Sequence, residues 1–372
     1  MTDPLASGCL DGPLSAAASP ASVLRPEVLA QSAYHVADAR GMVKLDAMEN
    51  PYPLPEAVRE TVARRLADVA VNRYPDAACH ELKQRLRAAA GVPAAAELLL
   101  GNGSDEIIQM LALAVARPGA VILGVEPSFV MFRLLAGLAG ARWVGVPLRA
   151  DFSLDEAALQ EAIERHRPAL ALLAYPNNPT GNLFDRAALE RVIARLPGLA
   201  VVDEAYHAFA GDSFAGALAR FPNLLVMRTL SKLGLAGLRL GYLMGSPAWI
   251  GELEKLRLPY NINALTQAAA TAILEHPEVL EGQAAALRAA RGELAAALER
   301  LPGVTVFPSA ANFLLLRVKS APRVFDALKA RGVLVKLADG SHPLMEGCLR
   351  VTVSTPEENH LFLQALDESL LP

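Results

Sequence analysis

The chain has 372 residues, room for two domains with sizeable cores. Hydrophobic residues make up 53% and charged residues 20%, which excludes a disordered chain. A net charge of −4 leaves no electrostatic footprint for nucleic acid or an anionic membrane, and charge, Pro or Gly breaks the apolar runs well short of a bilayer span.

The three cysteines, Cys9, Cys79 and Cys348, are far apart and lack C-x-x-C spacing. A disulfide framework or a zinc site is not expected, and a reducing cytoplasm fits. The seven histidines are scattered and form no H-E-x-x-H pair. Leu5-Ala6-Ser7-Gly8-Cys9 superficially matches a lipoprotein cleavage box. It has no basic or apolar region before it, so residues 1–22 read as a flexible tail.

A short helix is expected over 25–34. The stretch Lys44-Leu45-Asp46-Ala47-Met48-Glu49-Asn50-Pro51-Tyr52-Pro53 follows, either a linker or an ordered arm. Helical periodicity runs over 55–70 and 79–90, with Asn72-Arg73-Tyr74-Pro75 as the break. Glu97–Leu100 then reads as a strand, and Gly101-Asn102-Gly103-Ser104-Asp105-Glu106 as a tight turn opening a helix. Glycines before a helix N-terminus expose backbone N–H groups that can cradle a phosphate.

From here strands and helices alternate. Strands are expected over 120–125, 143–147, 170–174, 200–202, 224–227 and 240–244. Helices are expected over 104–116, 129–138, 154–166 and 186–196. This pattern predicts an α/β fold with a mostly parallel sheet covered on both faces, and ligands in the loops at the carboxyl ends of the strands. Those loops carry Glu126-Pro127-Ser128-Phe129, Tyr175-Pro176-Asn177-Asn178-Pro179, Asp203-Glu204-Ala205-Tyr206 and Thr229-Leu230-Ser231-Lys232.

The last of these loops continues to Arg239. A buried lysine near other cations has a lowered pKa and an amine able to attack a carbonyl. Hydroxyls and an arginine that converge can hold a phosphate. An aldehyde cofactor bearing a phosphate, pyridoxal phosphate (PLP), needs both, with Lys232 as its Schiff-base partner. A surface turn with a solvated Lys and Arg is the other reading of this stretch alone. Beyond 244, helices are expected over 247–257 and 263–301, interrupted near His276-Pro277. A smaller α/β unit then has strands near 304–307, 313–318, 333–336 and 349–353 and helices near 324–331 and 357–370. The domains expected are a tail (1–22), an arm packing on the small domain and a dimer partner (23–54), a large domain (55–260) and a small domain (261–372).

Taken together, Asp46–Tyr52, Arg73-Tyr74-Pro75, Gly103–Glu106, Pro176–Gly181, Asp203–Tyr206, Thr229–Lys232 and Cys348–Val353 resemble, in this order, the fold-type I PLP-dependent aminotransferases. The resemblance covers the chain from about Arg25 to its end and lies nearest the branch acting on histidinol phosphate. It implies a large domain with a seven-stranded sheet between helices. It implies that Lys232 bonds the cofactor and shuttles a proton, that Asp203 pairs with the pyridine nitrogen, and that Asn178 and Tyr206 hydrogen-bond the phenolic oxygen. Phe129 would stack on the ring. The Ser104 and Asp105 backbone, Thr229, Ser231 and Arg239 would hold the phosphate, with Tyr74 reaching the phosphate of the neighbouring subunit in a homodimer. Tyr34, Asn50, Lys336 and Arg350 are the implied substrate contacts.

The implied reaction is amino transfer between L-histidinol phosphate and 2-oxoglutarate, in the cytoplasm, with no nucleic-acid or membrane partner and no metal. An aromatic or broad-specificity aminotransferase, or a decarboxylase acting on threonine phosphate, is the alternative. Two departures stand out. The loop from Lys232 to Arg239 is one residue shorter than is common in the family, and Lys336 stands where an arginine is often found.

Overall fold

The computed structural model describes residues 19–33 and 37–371. The chain forms two units, 1–37 and 38–372. In the first, the described residues make two single-turn helices, Pro20–Val23 and Pro26–Leu29. The helix expected over 25–34 is thus cut to one turn, and neither turn buries a residue that could stabilise more. Tyr34 and most of the expected tail lie outside the described residues.

The second unit contains thirteen strands among its described residues. They are β1 (Val43–Lys44), β2 (Glu97–Asn102), β3 (Val121–Glu126), β4 (Arg142–Pro147), β5 (Leu170–Ala174), β6 (Leu199–Asp203), β7 (Leu224–Thr229), β8 (Leu240–Gly245), β9 (Val304–Val306), β10 (Phe313–Val318), β11 (Val333–Leu334), β12 (Lys336–Leu337) and β13 (Cys348–Thr352). The large sheet has seven strands in the order β2-β8-β7-β6-β5-β3-β4. Only β8 runs against the rest, pairing antiparallel with both β2 and β7.

Every residue of β5, β6, β7 and β8 is buried, which is why these segments read as continuous apolar runs. One face packs on helices Ser104–Val115 and Val130–Leu138 through Ile107, Ile108, Leu111, Phe132 and Leu135. The other packs on His80–Ala90, Glu156–His166, Arg186–Arg195 and Ala264–Ile273 through Leu82, Leu86, Leu159, Leu189, Val192 and Ile273. Asp155, Asp185 and Asn263 cap three of these helices by accepting from the N–H three residues on, as the sequence chemistry requires.

The small sheet is antiparallel, in the order β12-β13-β10-β9. The strand expected over 333–336 is split in two. Val333–Leu334 pairs in parallel with β1, and Lys336–Leu337 pairs with β13. Val335 is buried at the crossover, so one apolar run serves two sheets. The β1 pairing ties the stretch before Asp46 to β11, and the Leu45 carbonyl, accepting from Thr352 N, ties it to β13 of the small sheet. Ile262, Ala270, Ile273, Leu274 and Leu280 belong to the core of the large sheet, and Ala284, Leu287 and Leu294 to that of the small one. The change of core therefore falls inside helix Pro277–Leu298. The apolar periodicity continues through the helix, which hides where its partner changes.

Candidate active site

The carboxyl ends of β3, β5, β6 and β7 meet in one cleft. It is lined by Met48, Ser104, Asp105, Phe129, Asn178, Asp203, Tyr206, Thr229, Ser231, Lys232 and Arg239, together with Ala174, Pro176 and Ala205. All the residues named from the sequence for cofactor contact lie here except Tyr74.

Lys232 sits on the single 3-10 turn Ser231–Leu233 that follows β7. Gly234 ends the turn at φ 100, a conformation open to glycine. The Lys232 Nζ donates to the Ala47 carbonyl at 2.9 Å. Burial first, then the nearby Arg350 charge, lowers its pKa to about 8, so far more of the amine is free near neutral pH than in a solvated lysine. Asp203 ends β6, and its Oδ1 accepts from Ala205 N at 3.0 Å. Burial raises its carboxyl to about 7. A carboxyl group strained in this way gains from any cation brought against it. Burial also raises the Tyr206 phenol, whose ring packs edge-on against Phe313 at 5.2 Å.

The opposite end of the cleft is built from short polar groups. Thr229 Oγ1 donates to Ser231 Oγ at 2.9 Å. Arg239 lies at φ 51, in the left-handed region that non-glycine residues seldom occupy. The shortened loop turns back on itself there, and the guanidinium lies 3.5 Å from Ser231 Oγ and 3.6 Å from Asp105 Oδ2. Beside it begins helix Ser104–Val115, whose first N–H groups have no partner within the helix. A Cβ on Gly103 would stand 2.6 Å from Arg239 Nη2, and one on Gly241 2.7 Å from Ser104 N. Only glycine leaves this cradle open. Backbone donors, two hydroxyls and a guanidinium suit a phosphate, and at the far end Lys232 and Asp203 suit an aldehyde and a basic ring nitrogen. These residues therefore fit PLP.

Loops after different strands are tied together around the cleft. Buried Asn177 donates to Pro127 O and Thr180 Oγ1 at 3.0 and 2.7 Å and accepts from Ser128 Oγ at 2.8 Å. This fixes Phe129 relative to Asn178. Arg350 of β13 donates to Asn178 Oδ1 at 2.6 Å and to Asp46 O at 2.7 Å, with its guanidinium 5.4 Å from the Phe313 ring centre. The small sheet thus sets a cation against Asn178 of the cleft wall, although Arg350 is itself outside the lining.

The other expected contacts lie outside the cleft lining. Lys336 faces Arg350 across the β12–β13 ladder, with an exposed side chain. The Asn50 amide donates to Gln283 Oε1 at 2.9 Å, and its oxygen accepts from Tyr52 N. Tyr74 is 80% exposed and stacks on Tyr260 at 4.4 Å. Sequence reasoning missed the carbonyls of Asp46 and Ala47, because a backbone acceptor leaves no residue signature. It also missed Met48 and the pair Glu204–Arg228. For that pair a signal existed: two charges at the ends of adjacent apolar strands. Among the described residues no cluster of His, Cys, Asp or Glu could hold a metal ion, and no helix is long and apolar enough to cross a membrane.

Residues 40–366 match the family model described as aminotransferase class I and II. The chain is 56% identical over 353 residues to histidinol-phosphate aminotransferase 2 of Cupriavidus pinatubonensis, covering 94% of this chain and 96% of that protein. It is also 56% identical over 344 residues to histidinol-phosphate aminotransferase of Chromobacterium violaceum, covering 92% and 97%. Among solved structures, histidinol-phosphate aminotransferase from Sinorhizobium meliloti in complex with pyridoxal-5'-phosphate superposes with a TM-score of 0.83 at 25% identity, covering 94% of this chain and 98% of that one. A match over most of the sequence, on a fold that gathers the expected side chains in one cleft, makes this chain a member of the class I and II aminotransferases.

Proposed function

We propose that this enzyme uses PLP to transfer an amino group between L-histidinol phosphate and 2-oxoglutarate, giving imidazole acetol phosphate and L-glutamate in histidine biosynthesis. The observation that carries the chemistry is the cleft itself, where a lysine lowered to about 8 and a carboxyl raised to about 7 share one buried space with a phosphate cradle. The substrate follows from the relatives at 56% identity that bear this activity in their names.

When bound, PLP supplies an electrophilic aldehyde and a ring that accepts the electrons released at the substrate α-carbon. Ser104, Asp105, Thr229, Ser231 and Arg239 hold its phosphate. Asp203 holds a proton on the pyridine nitrogen, and the same contact relieves the carboxylate of its burial cost. Asn178 and Tyr206 would hydrogen-bond the cofactor's phenolic oxygen, and Phe129 would stack on its ring. Lys232, with its lowered pKa, would hold the cofactor through its amine and would move the proton at the substrate α-carbon. Arg350 binds the anionic group of each substrate in turn, with Tyr34, Asn50 and Lys336 as helpers.

The working form in this reading is a cytoplasmic homodimer. Tyr74, exposed and stacked on Tyr260 outside the lining of its own cleft, would serve a partner's phosphate. Cys79 and Cys348 are free, buried thiols, as a reducing compartment permits. The test is single-donor turnover, following the cofactor absorbance as it converts to the amine form. L-histidinol phosphate is expected to react far better than unphosphorylated histidinol or phenylalanine. Equal rates for all three would replace this reading with a broad-specificity aminotransferase.

A further inference from the structure

Glu204 and Arg228 stand at the cleft ends of β6 and β7, yet neither lines the cleft. Side chains alternate across a sheet. Asp203 and Thr229 face the cleft, so Glu204 and Arg228 face the other side. The pairing of Asp203 with Met227 sets them next to each other. Both are buried, at 0% and 4% exposure.

Arg228 Nε donates to Glu204 Oε2 at 2.9 Å, and Ser213 Oγ donates to the same oxygen at 2.9 Å. Phe214 N donates to Oε1 at 2.5 Å. Arg228 also reaches Ala90 O and Ser213 Oγ, at 3.1 and 2.8 Å. The Glu204 backbone is held too, its N–H on Met227 O and its carbonyl on His207 N. The turn that starts at Asp203 and carries Tyr206 is therefore clamped from below.

A buried ion pair adds little stability over apolar residues of equal volume. What it supplies is fixed geometry and a balanced charge. We infer that Glu204 and Arg228 are positioning residues, which aim Asp203 and Tyr206 at the cofactor and keep the field beneath them neutral. The inference rests on the role given above to Asp203.

The charges around the pair are few. Asp203 faces Asp105 and Lys232 from the cleft side and Glu204 from below. Lys232 faces Arg350, Arg239, Glu49 and Asp105. On the far side Tyr242 and Tyr175 are raised above the ordinary phenol range and stay protonated. His207 is lowered to about 3 by burial and stays neutral.

The test titrates the visible band of the lysine-bound cofactor against pH. Glu204→Gln leaves the Arg228 charge unbalanced and is expected to lower the midpoint. Arg228→Gln leaves the Glu204 charge and is expected to raise it, each by about one unit. The double variant, balanced again, should return to the wild-type midpoint. Side chains that only pack would move both single variants the same way or not at all, and that result in folded, cofactor-loaded protein would overturn the inference. Arg228→Lys, which keeps the charge but loses the planar fork, covers the case in which a lone buried charge prevents folding. It should keep the midpoint and lower kcat by about tenfold. Wild-type kcat in Arg228→Lys also overturns the inference. Absence of the visible band in wild-type protein overturns the functional reading and this inference with it. A band with unmoved midpoints overturns the inference alone.

Discussion

Asp203→Asn separates what the cleft costs the fold from what it does for the chemistry. In protein stripped of cofactor, burial raises the Asp203 carboxyl from 3.8 to about 7. The folded chain then keeps a proton that the unfolded chain gives up. The stability this provides is fully present below about pH 4 and is lost as pH rises through about 7. By pH 8 the difference between folded and unfolded pKa amounts to about 4 kcal/mol, and at pH 5 to about 2 kcal/mol. Asparagine has the same shape and no charge to bury. Urea unfolding of cofactor-free wild type and Asp203→Asn should therefore show the variant gaining on the wild type between pH 5 and pH 8 by about 2 kcal/mol. With PLP bound the order reverses, because the carboxylate then has its cation and the variant does not. The variant should hold PLP more weakly and turn over orders of magnitude more slowly. Stability curves that run parallel from pH 5 to pH 8 would refute the burial argument. Near-normal turnover in the variant would remove Asp203 from the mechanism.

Lys232→Ala should abolish transamination and leave no cofactor-bearing peptide after borohydride reduction and mass spectrometry; undiminished trapping would point to another lysine. Arg350→Ala removes a charged hydrogen bond of roughly 1.5–3 kcal/mol, so kcat/KM for histidinol phosphate and glutamate should fall together by about one to two orders of magnitude with PLP content intact. An unchanged kcat/KM would leave Arg350 a purely structural role, holding Asn178 and the Asp46 carbonyl. For the shared site, Tyr74→Phe and Lys232→Ala homodimers should each be impaired, while a mixed dimer holds one site free of both lesions and recovers activity. Verified hybrids with no recovery would mean that Tyr74 serves its own subunit.

Local chemistry determined much of this protein. The strands β5 to β8 are legible because a strand buried on both faces must be apolar throughout, and such runs are visible without any partner. The loops after them are legible because a lysine, a carboxylate and an amide at strand ends stand out against apolar flanks. Tertiary structure decided the rest. The reversal of β8, the split of 333–336 between two sheets and the change of core inside helix Pro277–Leu298 depend on which segments meet, and each segment reads the same either way. The hold of Ala47 and Asp46 on Lys232 and Arg350 uses backbone carbonyls, which every residue carries. The clamp of Glu204 on Arg228 joins residues 24 apart in sequence, and it exists only because β6 and β7 lie side by side in the one register that turns both charges away from the cleft.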